Sequence, residues 1–193
     1  MFELPTSIDV GGKSFKIRNR GDFRLVLDCL VALDDYELDE TERILACLIM
    51  FYENLNTVED VFAVDIKEAT SKMFSFFNCG DNSLENTRQS TKLIDWKQDE
   101  LLIVSAVNNV AGKEIRAEKY VHWWTFMGWY MAVGESPLST VVAIRDKIAK
   151  GKKLEKYEQE FRRNNPGYFV WKNKSAQDAD AEAIYEQLIK KSQ

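Results

Sequence analysis

The stretch Tyr120–Val133, YVHWWTFMGWYMAV, decides how this chain folds. Only His122, Thr125 and Gly128 interrupt its run of apolar and aromatic residues. Adjacent helical residues point about 100° apart, so Trp123 and Trp124 cannot share one face. With Phe126, Trp129 and Tyr130 they cover a wide arc, and a helix apolar on most sides belongs in the middle of a bundle. The stretch is too short to span a bilayer, which takes about 18 or more apolar residues. His122 reads as a hydrogen-bonding residue near the helix start rather than a ligand. A second use of the same side chains stays open, because aromatic residues are enriched at interface hot spots. Trp123, Trp124, Phe126 and Trp129, with Trp96 upstream, are therefore the candidate partner-binding residues.

Outward from this helix the pattern stays helical. Ser136-Pro137 places a cap and then proline at the first helical position, and the helix behind it runs to about Lys150 with Leu138, Val141, Val142, Ile144 and Ile148 inward. Leu154–Arg163 is a charged helix closed by Asn165-Pro166-Gly167. Gln177–Lys191 reads as a terminal helix with a weak stripe of Ala181, Ile184 and Leu188. Toward the N-terminus, Asp95 is a cap with Gln98 in the reach-back position, opening an apolar helix to about Val110 that carries Leu101, Leu102, Val104, Ala106 and Val107. Residues 81–94 lack periodicity and read as a loop. Thr57 caps a helix from about Val58 to Asn78, with Val61, Phe62, Ile66, Ala69, Met73, Phe76 and Phe77 on its apolar face and Gly80 as its stop. Asp39 and Glu42 form a capping-box pattern before a helix to about Asn54. Asp22 caps a helix to about Asp35, with Phe23, Val26, Leu27, Leu30 and Val31 on one face.

The first residues differ. Ser7–Val10 and Ser14–Ile17 alternate around Gly11-Gly12, the signature of a β-hairpin with a two-residue turn. An isolated hairpin is marginal in water, so it must lie on the helices or pair with a strand of another chain. The fold class is mainly α: one domain of about six to eight helices with an N-terminal β-hairpin and a C-terminal helix. Residues 1–20 form the hairpin, 21–165 the helical core and 166–193 a C-terminal extension.

Composition narrows the function. The 193 residues hold a single His and three Cys. One His excludes any two-His metal site. Cys29, Cys47 and Cys79 form no C-x-x-C pair, and an odd number argues against a secreted disulfide framework. The N-terminus has neither a basic n-region nor an apolar h-region, so no signal peptide is expected. A soluble protein of a reducing compartment, without membrane insertion, is the expectation. The net charge is −5, but residues 1–112 carry −9 and residues 113–193 carry +4. Arg145–Lys174 holds ten Lys and Arg against four acids. Arg145, Lys152, Lys153, Arg162 and Arg163 are the candidate basic surface. The acidic whole weighs against nucleic-acid binding, since phosphates would be repelled.

No glycine-rich phosphate loop, G-x-S-x-G elbow or dinucleotide fingerprint is present. The cysteines sit in apolar helical patterns, which favours inert thiols. Asp95 and Asp99, one turn apart, read as a cap and a solvent-facing acid, with cation binding as the lesser alternative. No enzyme and no cofactor is expected.

Several segments in order carry a resemblance: Leu4-Pro5-Thr6-Ser7 into Val10-Gly11-Gly12 and Phe15-x-Ile17; Asp22-Phe23; Ile94-Asp95-Trp96-x-x-Asp99; His122-Trp123-Trp124-x-Phe126; and Val142 with Ile144-Arg145. The set, spanning roughly residues 1–165, resembles small proteins of long-tailed bacteriophages and prophages of Gram-positive bacteria, encoded between the major tail protein and the tape measure protein. The resemblance implies a tail assembly chaperone that binds the helical, hydrophobic tape measure protein in the cytoplasm of the infected host and is absent from the finished virion. It assigns no catalytic residue. Apolar grooves between helices suit such a client, and the hairpin edge offers a route to self-association. A structural tail or connector protein retained in the virion, or a nucleic-acid-binding phage regulator, are the competing readings.

Overall fold

The computed structural model describes residues 3–81 and 91–172. The terminal helix expected over 177–191 and most of the expected loop at 81–94 lie outside these. The fold is mainly helical; the described residues form eight helices behind an N-terminal two-stranded antiparallel hairpin. The strands are β1 (Ser7–Val10) and β2 (Lys13–Lys16); the helices are α1 (Phe23–Leu33), α2 (Glu40–Phe51), α3 (Val58–Phe62), α4 (Ile66–Phe77), α5 (Glu100–Ala111), α6 (Trp123–Met131), α7 (Pro137–Ala149) and α8 (Lys156–Asn164). Short 3-10 turns lie at Arg18–Gly21, Ile115–Ala117 and, after α8, Pro166–Tyr168.

The hairpin pairs Val10 with Lys13 across Gly11 and Gly12, both at positive φ as the tight turn requires. It lies on the helices. Val10 and Ile17 are buried, the Gly11 amide donates to Glu68 on α4, and the Glu53 amide past α2 donates to the Lys16 carbonyl.

Local signals place most helix starts. Asp22 accepts from the Arg24 amide, and Asp39 and Glu42 exchange both bonds of a capping box. Thr57 does the same with Asp60, and Ser136 caps α7 through the Ser139 amide. Beyond α4, Cys79 and Gly80 both turn left-handed and the Gly80 amide returns to the Ser75 carbonyl, the stop expected there.

Besides Ile148, expected inward on α7 but exposed, three local expectations need correction. The single helix expected over 58–78 is two, α3 and α4. Asp65 caps α4 by accepting from the Glu68 amide, giving the backbone an alternative to helix continuation. The break rotates Phe62 off the apolar face, leaving it 64 % exposed. Secondly, α5 begins at Glu100. Asp95 accepts from the Lys97 and Gln98 amides in the preceding turn, but Asp99, not Gln98, reaches back to the Asp95 amide. Thirdly, of the expected α1 face of Phe23, Val26, Leu27, Leu30 and Val31, only Phe23 and Val26 are fully buried; Leu25 and Cys29 complete the buried face.

The core lies between α1, α2, α4, α5 and α6. Phe51 meets Tyr52, Phe76 and Phe77 edge-on or tilted, and Phe126 stacks on Phe23 at 4.9 Å and on Trp123 at 5.4 Å. Such pairs add roughly 0.5–1.5 kcal/mol each beyond area burial. Tyr52 keeps its hydroxyl satisfied by donating to the Ala69 carbonyl.

Candidate functional site

The aromatic helix α6 starts beside α1. The Phe23 amide donates to the Val121 carbonyl and the Val121 amide to the Asp22 carboxylate, both at 2.9 Å. Asp22 also holds Arg24, whose guanidinium reaches the carbonyls of Ile115, Arg116 and Glu118. The entry to α6 is thus anchored from both sides.

His122, Trp123 and Trp124 then act as three consecutive clasps. The His122 Nδ1 accepts from the Trp124 amide as the helix cap, which leaves the proton on Nε2 to donate to the Pro5 carbonyl at 3.0 Å. The Trp123 indole donates to the Phe77 carbonyl and the Trp124 indole to the Phe76 carbonyl, both at 2.9 Å. These carbonyls lie at the C-terminal end of α4, where intrahelical donors run out. Burial lowers the His122 pKa, against the pull of the Pro5 carbonyl and of Asp22. The imidazole is a neutral cap.

Trp123 and Phe126 are fully inside the core. That corrects their candidacy as partner anchors: their rings have no open face. Trp124 is half-buried and lines a cavity of about 200 Å³ with Pro5, Ile8, Phe76 and Gly80. Trp129 is half-buried with the Lys113 ammonium 5.6 Å over its ring. Trp96 is half-buried against Trp123 and Tyr130.

The segments around Asp99 and Arg145 are also structural. Arg145 is not part of the basic surface. Its guanidinium is buried, donating to both carboxylate oxygens of Asp99 and to the Leu93 and Tyr168 carbonyls, with Trp171 stacked 4.3 Å away. Asp99 is completely buried, so the solvent-facing reading of it fails. Asp95 is buried too. Burial opposes its charge, yet the Gln98 and Lys97 amides and the Lys92 ammonium outweigh it and hold its carboxyl below the usual range. The cations at this carboxylate pair are Lys92 and Arg145. Among the described residues, no group of three or more His, Cys, Asp or Glu is placed to hold a metal. Gln98 turns the other way, bonding the Gly167 and Val170 carbonyls and the Lys172 amide. Residues 166–172 are thereby fastened across α5 and α7. Lys152, Lys153, Arg162 and Arg163 are exposed, as expected.

One surface feature escaped residue-by-residue reading. A groove of about 470 Å³ runs between α5 and the α6–α7 connection, lined by Leu102, Ala106, Val110, Val133 and Pro137 with Asn108, Asn109 and Glu135 among its polar edges. On the same two helices Leu101 is 73 % exposed and Met131 78 %. The signal was present: the apolar residues of α5 cover more of its circumference than one buried face can use.

The fold and these clasps define a small helical domain built around an anchored aromatic helix. The family described as Bacteriophage Gp15 protein matches residues 1–169, and the chain belongs to it. No curated protein and no solved structure matches the chain.

Proposed function

We propose that this bacteriophage protein is a non-enzymatic tail assembly chaperone that binds the tape measure protein in the cytoplasm of the infected host and is absent from the finished virion. Membership of a bacteriophage protein family and the resemblance of the ordered segments to tail assembly proteins support the setting. The groove between α5 and the α6–α7 connection carries the binding role. Its apolar floor and exposed flanking residues suit an amphipathic helix, which lays its i, i+3, i+4, i+7 anchors into such a groove. Of the candidate residues on α6, Trp124 and Trp129 are left partly open for a client. None of the described helices is long and apolar enough to cross a membrane.

Co-expression with tape measure fragments tests this. Soluble complexes are expected on size exclusion with light scattering, weakened by Leu101→Glu or Val110→Glu at exposed positions. Insoluble fragments regardless of the protein overturn the chaperone reading. Mass spectrometry of purified particles decides retention, since a stoichiometric signal favours a virion component. Self-association through the hairpin uses the outer edge of β1, and a strict monomer at high concentration ends that part.

A further inference from the structure

A second groove, of about 380 Å³, lies between α8 and the segment that follows it. Leu154, Pro166, Phe169 and Val170 supply apolar surface; Gln159, Arg162 and Arg163 supply polar edges. Its far wall is preformed. Arg145 holds the Tyr168 carbonyl, Gln98 holds the Gly167 and Val170 carbonyls, and Phe169 meets Phe161 edge-on at 6.3 Å. A binding surface fixed in this way loses little entropy when a ligand arrives.

The edge of this groove is positively charged. In the basic run of the chain, Arg145 is neutralised by Asp99, Lys147 by Glu158 and Lys150 by Asp146. Among the described residues no ion pair engages Lys152, Lys153, Arg162 or Arg163, all exposed around this end of the molecule. A concentrated positive rim beside an apolar floor, on a chain whose first 112 residues carry −9, is complementary to a ligand both acidic and apolar. Nucleic acid fits less well: phosphates make no use of Leu154, Phe169 and Val170, and the acidic remainder repels them.

We propose that the α8 groove docks an acidic amphipathic helix of another protein. Arginines 162 and 163 pair with carboxylates on the helix flank while its apolar stripe covers Phe169 and Val170. The site is separate from the groove on α5, and its occupation does not depend on the tail-assembly reading.

The test uses the full chain and a fluorescein-labelled 18-residue peptide of Glu, Ala and Leu with leucines at i, i+3, i+4 and i+7. An isomer of the same composition with scattered leucines and a single-stranded DNA oligonucleotide serve as comparisons. By anisotropy the amphipathic peptide should bind at least tenfold tighter than its isomer. Binding should weaken at least tenfold in R162E/R163E and several-fold in Val170→Ser, which removes apolar surface without changing charge. Unchanged thermal unfolding of both variants shows that the fold is intact. The proposal is overturned if the peptide does not bind, if the isomer binds equally, if R162E/R163E leaves binding unchanged, or if the oligonucleotide displaces the peptide from the groove. It is equally overturned if hydrogen exchange finds residues 177–191 protected in the free protein and unmoved by peptide, since the groove then belongs to the chain's own end.

Discussion

Arg145 and Asp99 meet as a two-pronged ion pair inside the protein, at 2.6 and 2.9 Å, with side chains 5 % and 0 % exposed. Removing one partner leaves an uncompensated buried charge. Asp99→Ala should therefore destabilise the fold by about 3–5 kcal/mol in denaturant titrations. Arg145→Lys should also be costly, because an ammonium cannot serve Asp99 and two backbone carbonyls in one plane. A second readout is Trp171, which stacks on the guanidinium. Its fluorescence should shift in Arg145→Lys before global unfolding.

Trp123 and Trp124 make the same kind of bond with different stakes. The Phe76 carbonyl held by Trp124 also accepts from the Cys79 amide, so it keeps a partner in Trp124→Phe. The Phe77 carbonyl is served by Trp123 in a fully buried position. Trp123→Phe should cost about 1–3 kcal/mol for the stranded carbonyl, and measurably more than Trp124→Phe in parallel chemical denaturation.

His122 makes stability depend on pH. Its folded-state pKa lies below the unfolded value of about 6.5, so the unfolded chain binds the extra proton first. Stability is full above that value and falls as pH drops toward the folded pKa. The denaturation midpoint should decline as pH falls below about 6.5 toward the folded-state value. His122→Asn, which can still cap α6, should flatten the decline while lowering stability at neutral pH. An equally steep decline in His122→Asn assigns it to other groups.

Gly21 sits at φ +74°, and a Cβ there would come within 2.7 Å of the Phe76 ring and 3.2 Å of the His122 Nε2. Gly21→Ala combines left-handed strain of about 1–2 kcal/mol with overpacking of about 1–3 kcal/mol. Gly11→Ala meets open space at φ +58° and bears only the first. Thermal melts of the two variants should differ accordingly.

The helical class, the hairpin and most caps were legible because each rests on neighbours within a few residues: Asp39 with Glu42, Ser136 with Ser139, Gly11 with Gly12. Asp65 shows the limit. An apolar pattern continues through it, and only the cap it forms ends one helix and starts the next. The candidate site was less legible. Arg145 looks like part of a basic run, and nothing near it in the chain announces Asp99, 46 residues away. Likewise the order of His122, Trp123 and Trp124 marks an unusual helix, but their partners are carbonyls, which every residue carries and which no residue type reveals. Grooves are shapes between elements, so periodicity indicates only that α5 has more apolar surface than its packing consumes.

The bond from His122 to the Pro5 carbonyl joins groups 117 residues apart in the chain. On a ribosome adding about 5–20 residues per second, the Pro5 segment waits roughly 6–23 seconds before its partner exists. Until then the hairpin end, including Pro5 and Ile8, has no α6 to close against. The newborn protein thus passes through a period in which its hairpin needs shielding, and substitutions at His122 should show up as poor yield during synthesis as well as in the stability of what survives.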